Sequence, residues 1–197
     1  MSNVLIRDLD PSIVEDLKSE GFTPPTACTI VMRKELDAPA VTSGTEISVS
    51  VKHVKNNRND WGMVVHELIH VAQQYPGHQE DLTWLMEGIA DYERFWNYEP
   101  RAPQPIIHPE KASYRDSYRT SAAFLGYLVL THDKSIITRL NAAMRRPDAS
   151  EAMFKALLGR PVEDLWKDFL AAGAPNSPET QKAWWDAEQA KKGQEKK

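Results

Sequence analysis

Polar and apolar positions near the N-terminus follow the alternation that is typical of short strands. The runs Cys28–Met32 and Glu46–Val51 are rich in β-branched residues, and the second alternates polar with apolar side chains as a half-buried strand does. A short helix is expected before them, between Asp10 and Gly21, where a capping aspartate precedes a proline and a glycine can end the helix. The pattern therefore predicts one short helix and two strands of a small sheet.

The rest of the chain has apolar residues three and four positions apart, the spacing of one helix face. The segments expected to be helical are Trp61–Gln74, Thr83–Phe95, Ser117–Thr131, Lys134–Met144, Ser150–Leu158 and Pro161–Ala172. Together these patterns predict an α+β protein with a small N-terminal β-sheet followed by a mainly helical part. We expect a single domain over residues 1–173 and a C-terminal helix or tail over residues 174–197, with Trp184 or Trp185 docked on the core.

Composition limits the class of protein. The chain has 197 residues, of which 41% are hydrophobic, so it can bury one sizeable core. Its 28 acidic and 24 basic residues give a net charge of -4 without a basic block before the last few positions, so we expect no nucleic-acid partner. No apolar run is long enough to cross a bilayer, so no membrane association is expected. The single cysteine, Cys28, is expected to be a packed thiol.

The start of the sequence, MSNVLIRDLDPS, has neither the basic nor the apolar region of a signal peptide. This predicts a cytoplasmic location by default, or a secreted protein if the sequence is the mature form of a longer precursor. The oligomeric state is left open by the sequence.

The segment HELIH places two histidines four residues apart on a predicted helix. His66 and His70 then project from one face, one turn apart, which suits a divalent metal such as Zn²⁺. Glu67 is rotated by about 100° around the helix axis, so it can act as the general base that activates a water molecule instead of ligating the metal. The helix is otherwise apolar, and buried ionisable residues are costly unless they are paired or bound to a metal.

A second motif, EGIAD, supplies a carboxylate pair. Glu87 and Asp91 lie four residues apart on the next predicted helix, and the short connection between the two helices would return Glu87 to the level of His70. We therefore predict His66, His70 and Glu87 as metal ligands and Asp91 as a hydrogen-bond acceptor for His66. Gly88 is expected to let these two helices approach closely.

These motifs resemble known peptidase families. HELIH followed by EGIAD looks like the gluzincin arrangement of the thermolysin-like peptidases. The longer pattern WGMVVHELIHVAQQYP, WLMEGIADYERFW and YEP is similar to the plant and bacterial basic secretory protein family, over about Glu46 to Leu170. The resemblance implies a zincin-like fold, a gluzincin-type zinc metallopeptidase acting as an endopeptidase on polypeptide substrates, the ligands His66, His70 and Glu87, and Glu67 as base.

The mechanism needs a donor for the developing oxyanion in addition to the metal. Tyr118 is the candidate, because it begins the helix after the motif pair, with Tyr114 and His108 as rivals. The strand around Ser48–Val51 is expected to bind an extended substrate along an exposed sheet edge. The other histidines, His53, His78 and His132, lie in polar neighbourhoods and are expected to face solvent.

Three other functions share this site. The same residues would serve a metal hydrolase of non-peptide amides or esters, a non-catalytic zinc-containing binding protein, or a structural zinc site. Retention of Glu67 argues against the second function, and an open coordination position argues against the third. The sequence therefore favours a metal hydrolase, for which the resemblance implies a peptidase, and only substrate profiling separates a peptidase from an enzyme that acts on other amides or esters.

Overall fold

A four-stranded sheet forms the N-terminal part of the computed structural model, which describes residues 3–7, 11–76, 80–104 and 106–194. The strands are β1 (Asn3–Arg7), β2 (Ala27–Arg33), β3 (Ala40–Ser43) and β4 (Glu46–Ser50). Their order across the sheet is β1-β2-β4-β3, with β2 and β4 parallel and the other two pairs antiparallel. The two predicted strands are confirmed as β2 and β4, whereas β1 and β3 were not predicted.

The expected role of β4 as a substrate-binding edge is wrong. Strand β4 is hydrogen-bonded to β2 on one side and to β3 on the other, and Val51 already begins a helix. An interior strand has no unpaired backbone groups to offer, so the free edge on this side of the sheet belongs to β3.

Helices make up most of the remaining chain, which confirms the α+β class. Their bounds are α1 (Pro11–Leu17), α2 (Val51–Asn56), α3 (Gly62–Gln73), α4 (Thr83–Tyr92), a π-helix (Glu93–Tyr98), α5 (Tyr118–Thr131), α6 (Ile136–Met144), α7 (Ala152–Leu158), α8 (Val162–Ala171) and α9 (Pro178–Gln194). Each predicted helix is present with small shifts at its ends. The short α2 and the π-helical continuation of α4 were not predicted, and Asp10, the expected cap of α1, lies outside the described residues.

Helix α3 lies between two hydrophobic clusters. Met63 and Val71 pack with Cys28, Ile47 and Val49 in the cluster shared with the sheet. The opposite side contributes to the larger helical core through residues such as Ile69 and Ala72. Burial on both sides explains why the sequence of α3 has almost no polar face. Cys28 is a free, buried thiol, as predicted.

Helices α4 and α5 pack closely at the centre of the helical part. A side-chain carbon at Gly88 would lie 2.7 Å from Cβ of Ser121 and 3.3 Å from Cδ1 of Leu125, both on α5. The close approach predicted at Gly88 is therefore made with α5, and the prediction that it joins the two motif helices is wrong.

Helix α9 docks on the core through Gln181 and Trp184. The buried amide of Gln181 donates from Nε2 to the carbonyl oxygens of Ala123 and Pro175, and its Oε1 accepts a hydrogen bond from Trp96. The Trp184 ring lies 5.3 Å from the ring of Tyr127, as expected for a docking tryptophan.

The division into a domain over residues 1–173 and a C-terminal segment stays a prediction. None of the helices in the described ranges has the length and apolarity needed to cross a bilayer.

Replacing Gly88 with alanine tests the α4–α5 contact. Gly88→Ala is expected to lower the free energy of unfolding by about 1–3 kcal/mol, because the new methyl group meets Ser121 at less than a contact distance. The control is Gly193→Ala, since Gly193 has open space around it in α9 and alanine is favoured in helices. Equal midpoints of urea unfolding for the two variants would contradict the prediction.

Candidate metal centre and active-site cleft

The side chains of His66, His70 and Glu87 meet between α3 and α4. Nε2 of His66 lies 3.0 Å from Nε2 of His70 and 3.1 Å from Oε2 of Glu87, and the distance from Nε2 of His70 to the same carboxylate oxygen is 3.4 Å. His66 is buried, and the other two side chains are about 15% exposed. The three residues predicted from sequence therefore converge on one point, where they could hold a metal ion.

Hydrogen bonds behind the two histidines set which nitrogen carries a proton. Nδ1 of His66 lies 2.7 Å from Oδ1 of Asp91, and Nδ1 of His70 lies 2.7 Å from Oε1 of Gln73. The orientation of the Gln73 amide is fixed because its Nε2 donates to the carbonyl oxygen of Met86 at 2.9 Å. A carboxylate and an amide oxygen can only accept, so both imidazoles carry a proton on Nδ1. In its neutral form, each ring then presents the lone pair of Nε2 to the common point.

This arrangement fits a cation. With the two Nδ1 atoms protonated and both rings neutral, two Nε2 lone pairs and one carboxylate oxygen face each other within a partly buried space. Such a set of converging acceptors is repulsive on its own, and a divalent ion bound by imidazole and carboxylate relieves that repulsion. The donor set therefore matches the metal chemistry that the spacing of the motifs predicts.

The electrostatics of the site also favour positive charge. Burial lowers the pKa of His66, but its hydrogen bonds with Asp91 and Glu87 outweigh burial and raise the pKa to about 9. Burial raises the pKa of Glu87, but hydrogen bonds from His66 and His70 outweigh it and lower the pKa to about 2. Glu87 is therefore ionised at neutral pH, and a proton or a metal ion can supply the positive charge, so metal binding would release a proton.

Glu67 lies in the same cleft but outside the cluster of three. The residue is 7% exposed, and Oε2 accepts a hydrogen bond of 2.7 Å from the hydroxyl of Thr42 on β3. The same hydroxyl lies 3.0 Å from the backbone oxygen of Glu67. Sequence reasoning missed Thr42, since this contact spans 25 residues between an unpredicted strand and α3. Gln73 was also missed, although its position three residues after His70 on one helix was a usable signal.

Tyr118 lies beside the metal cluster and lines the cleft. Its ring lies 6.1 Å from the ring of His66 with an angle of 22° between the planes, and the residue is 54% exposed. The rivals lie elsewhere: Tyr114 packs in the helical core beside Trp84, and the His108 side chain is 64% exposed and does not line the cleft. Of the three oxyanion candidates, Tyr118 is thus the one that the structure brings to the site.

The remaining histidines are away from the cluster. His53 is only 22% exposed, with Nε2 2.9 Å from Oδ2 of Asp60, so the expectation that it faces solvent is wrong. His132 is exposed as expected, and His78 lies outside the described residues.

The cleft has a volume of about 1100 Å³ and two walls of different origin. Residues 38–42, which include most of the edge strand β3, form one wall, and residues 116–120, up to and including the start of α5, form the other. His66, Glu67, His70 and Glu87 line the cleft between them. The volume lies just above the usual range of small-molecule pockets and is compatible with a short extended peptide.

Comparison with known proteins adds one finding. A family model described as a peptidase of plants and bacteria (BSP) matches residues 3–169. The match includes the N-terminal sheet, so it begins far earlier than the resemblance from about Glu46 that the sequence motifs indicate. Neither the curated proteins nor the solved structures contain a significant match to this chain.

Removal of Asp91 tests how the cluster is oriented. Asp91→Ala is expected to weaken Zn²⁺ binding about 10- to 100-fold, because His66 loses the acceptor that holds its Nδ1 proton and its ring angle. Affinity is measured by competition with a chromophoric chelator. The control is Asp148→Ala, which removes an exposed carboxylate paired with Arg146. Equal affinity of both variants would show that Asp91 has no part in metal binding.

Proposed function

The chain belongs to this family of plant and bacterial peptidases, and on that premise we propose that it is a zinc-dependent peptidase that hydrolyses peptide bonds with a metal-activated water. The observation that carries the proposal is the convergence of two Nε2 lone pairs and the Glu87 carboxylate beside the carboxylate of Glu67. Family membership supports a peptidase with polypeptide substrates; the zinc and the residue roles are the proposed part.

His66, His70 and Glu87 would hold the zinc ion, as in the gluzincin type. Two imidazoles and one carboxylate match the three protein ligands of a catalytic zinc site, which keeps its fourth position open. When bound, the ion would polarise the scissile carbonyl and lower the pKa of a water molecule. Asp91 and Gln73 hold the ligand rings at their Nδ1 atoms, so both rings are oriented before the metal arrives.

Glu67 is the proposed general base. It takes one proton from the attacking water and passes it to the leaving amine, so one carboxylate serves in both steps. The hydroxyl of Thr42 holds Oε2 of Glu67 at 2.7 Å, which leaves Oε1 to contact the water. Fixing the carboxylate in this way favours proton transfer because the reacting atoms are positioned in advance.

Tyr118 is the proposed donor to the oxyanion. The carboxylates of Glu87, Asp91 and Glu67, together with partial burial, raise the pKa of its phenol, with Glu87 the largest cause. The hydroxyl therefore keeps its proton at neutral pH and can donate a hydrogen bond as negative charge develops on the carbonyl oxygen. The open mouth of the cleft and an extended substrate favour endopeptidase action.

The exchange Glu67→Gln tests the proposed function. We expect kcat/KM on unfolded protein substrates to fall about 10²- to 10⁴-fold, with zinc content equal to wild type, because the amide cannot accept the water proton. A chelator should abolish cleavage by the wild type, and added Zn²⁺ should restore it. The control is Glu35→Gln, at an exposed position.

Three results would separate this proposal from its alternatives. Full cleavage by Glu67→Gln would remove Glu67 from the mechanism. Bound zinc without cleavage of a broad peptide library by the wild type would favour a binding protein. Cleavage confined to small amides or esters would favour a non-peptide hydrolase.

Substitution of Thr42 tests the link between β3 and the base. Thr42→Val keeps the shape of the side chain but loses the donor, and kcat is expected to fall about tenfold with little change in KM. Thr42→Ser keeps the hydroxyl and should retain most of the wild-type kcat. If valine and serine at this position gave the same kcat, the hydroxyl would have no positioning role.

A further inference from the structure

Arg119 places a positive charge in the cleft, directly after Tyr118. Its guanidinium lies over the ring of Phe95 at 4.0 Å from the ring centre, and Nη1 donates a hydrogen bond of 2.6 Å to the carbonyl oxygen of Pro103. Both Arg119 and Phe95 line the cleft. The stacking and the backbone hydrogen bond hold the guanidinium in one place, while its other N–H groups stay available to a ligand.

A neighbouring arginine shows the contrast. Arg94 also lines the cleft, but it is neutralised by Asp60 at 2.5 Å and by Glu99 at 3.0 Å. No ion pair joins Arg119 to a carboxylate of the residues that the structure describes. Asp116, which lies three positions earlier, has Oδ2 bonded instead to the backbone N–H of Ser113. Arg119 is thus a fixed cation in a substrate cleft without an acidic partner from the described part of the chain.

We propose that Arg119 binds a carboxylate of the polypeptide substrate and sets the position at which that carboxylate is preferred. The inference rests on the proposed function, because it assigns the cleft to a peptide. A guanidinium binds a carboxylate through two parallel N–H···O bonds, and such charge-assisted pairs are stronger than neutral hydrogen bonds.

The distance between the metal cluster and Arg119 follows from the helical segment that carries both Glu87 and Phe95. Phe95, under the guanidinium, lies eight residues after Glu87 along α4 and its π-helical continuation. A rise of about 1.5 Å per residue in α4, and less in the π-helix, separates the two backbones by roughly 10–12 Å. An extended peptide spans about 3.3 Å per residue, so the recognised carboxylate lies about three to four residues from the scissile bond. It belongs either to an acidic side chain or to the C-terminus of the substrate, and the second source would make the enzyme release short C-terminal peptides.

Peptide binding to a protein that cannot cleave tests the proposal. The probe is a set of fluorescent decapeptides with one Glu or Gln at positions two to four residues on either side of the cleaved bond. Each peptide is made with a free or an amidated C-terminus. Dissociation constants are measured by anisotropy on zinc-loaded Glu67→Gln protein, alone and combined with Arg119→Gln, Arg119→Lys or the exposed control Arg58→Gln.

We expect one carboxylate-bearing peptide to bind about tenfold tighter than its neutral partner. The ratio should fall to about one with Arg119→Gln, stay partly raised with Arg119→Lys, which keeps the charge, and be unchanged with Arg58→Gln. A preference for Glu over Gln identifies a side-chain carboxylate, and a preference for the free terminus identifies the C-terminal carboxylate.

Two outcomes would overturn the proposal. One is that each carboxylate-bearing peptide binds the Glu67→Gln protein no tighter than its neutral partner. This measurement tests the inference even if Arg119→Gln fails to fold. The other is a carboxylate preference that persists in Arg119→Gln. If the wild type cleaves no peptide but the preference for a carboxylate depends on Arg119, the proposed function is refuted and the binding role of Arg119 remains.

Discussion

The site depends on one constraint: two imidazole Nε2 atoms and one carboxylate oxygen are held together in a partly buried space between α3 and α4. Nε2 of His66, Nε2 of His70 and Oε2 of Glu87 lie within 3.4 Å of one another. Desolvated acceptors repel each other, so this geometry persists only because the surrounding structure holds each side chain and because positive charge is favoured there. The pKa values of about 9 for His66 and about 2 for Glu87 reflect this preference for positive charge.

Several contacts outside the cluster hold the two helices that carry it. Helix α4 is pressed against α5 at Gly88, and α3 is packed between the sheet and the helical core. Arg145, directly after α6, donates to the carbonyl oxygens of Ala72 and Gln73 at the end of α3, where a cation complements the helix dipole. The position of the cluster is thus fixed by packing of the whole helical part, and side-chain hydrogen bonds then orient the rings within it.

The sequence predicts those parts of the site that depend on periodicity within one helix. His66, Glu67 and His70, and likewise Glu87 and Asp91, are related by helical spacing, and the structure brings them together as expected. Features that depend on pairing between distant segments were not predictable in this way. Strand β3 has only four residues, it pairs with β4, and the contact of Thr42 with Glu67 joins residues that are 25 positions apart. For the same reason, glycine at position 88 signalled a close approach but could not identify α5 as the partner.

The two walls of the cleft act on the proposed chemistry in different ways. The β3 wall is tied to the base, so any substrate that adds to the free edge of β3 also restrains the carboxylate of Glu67 through Thr42. The other wall, residues 116–120, includes Ser117 and Tyr118, whose φ angles of 63° and 50° are unfavourable for residues with side chains. The strained turn is held by hydrogen bonds on both sides, within the Ser113–Asp116 capping box and from the hydroxyl of Ser121 to the backbone oxygen of Tyr114. The strained backbone therefore lies at the turn after which the Tyr118 ring stacks near His66 and the Arg119 guanidinium lies over the ring of Phe95. One wall thus sets the geometry of the proposed base, and the other sets the geometry of the groups proposed to contact the substrate.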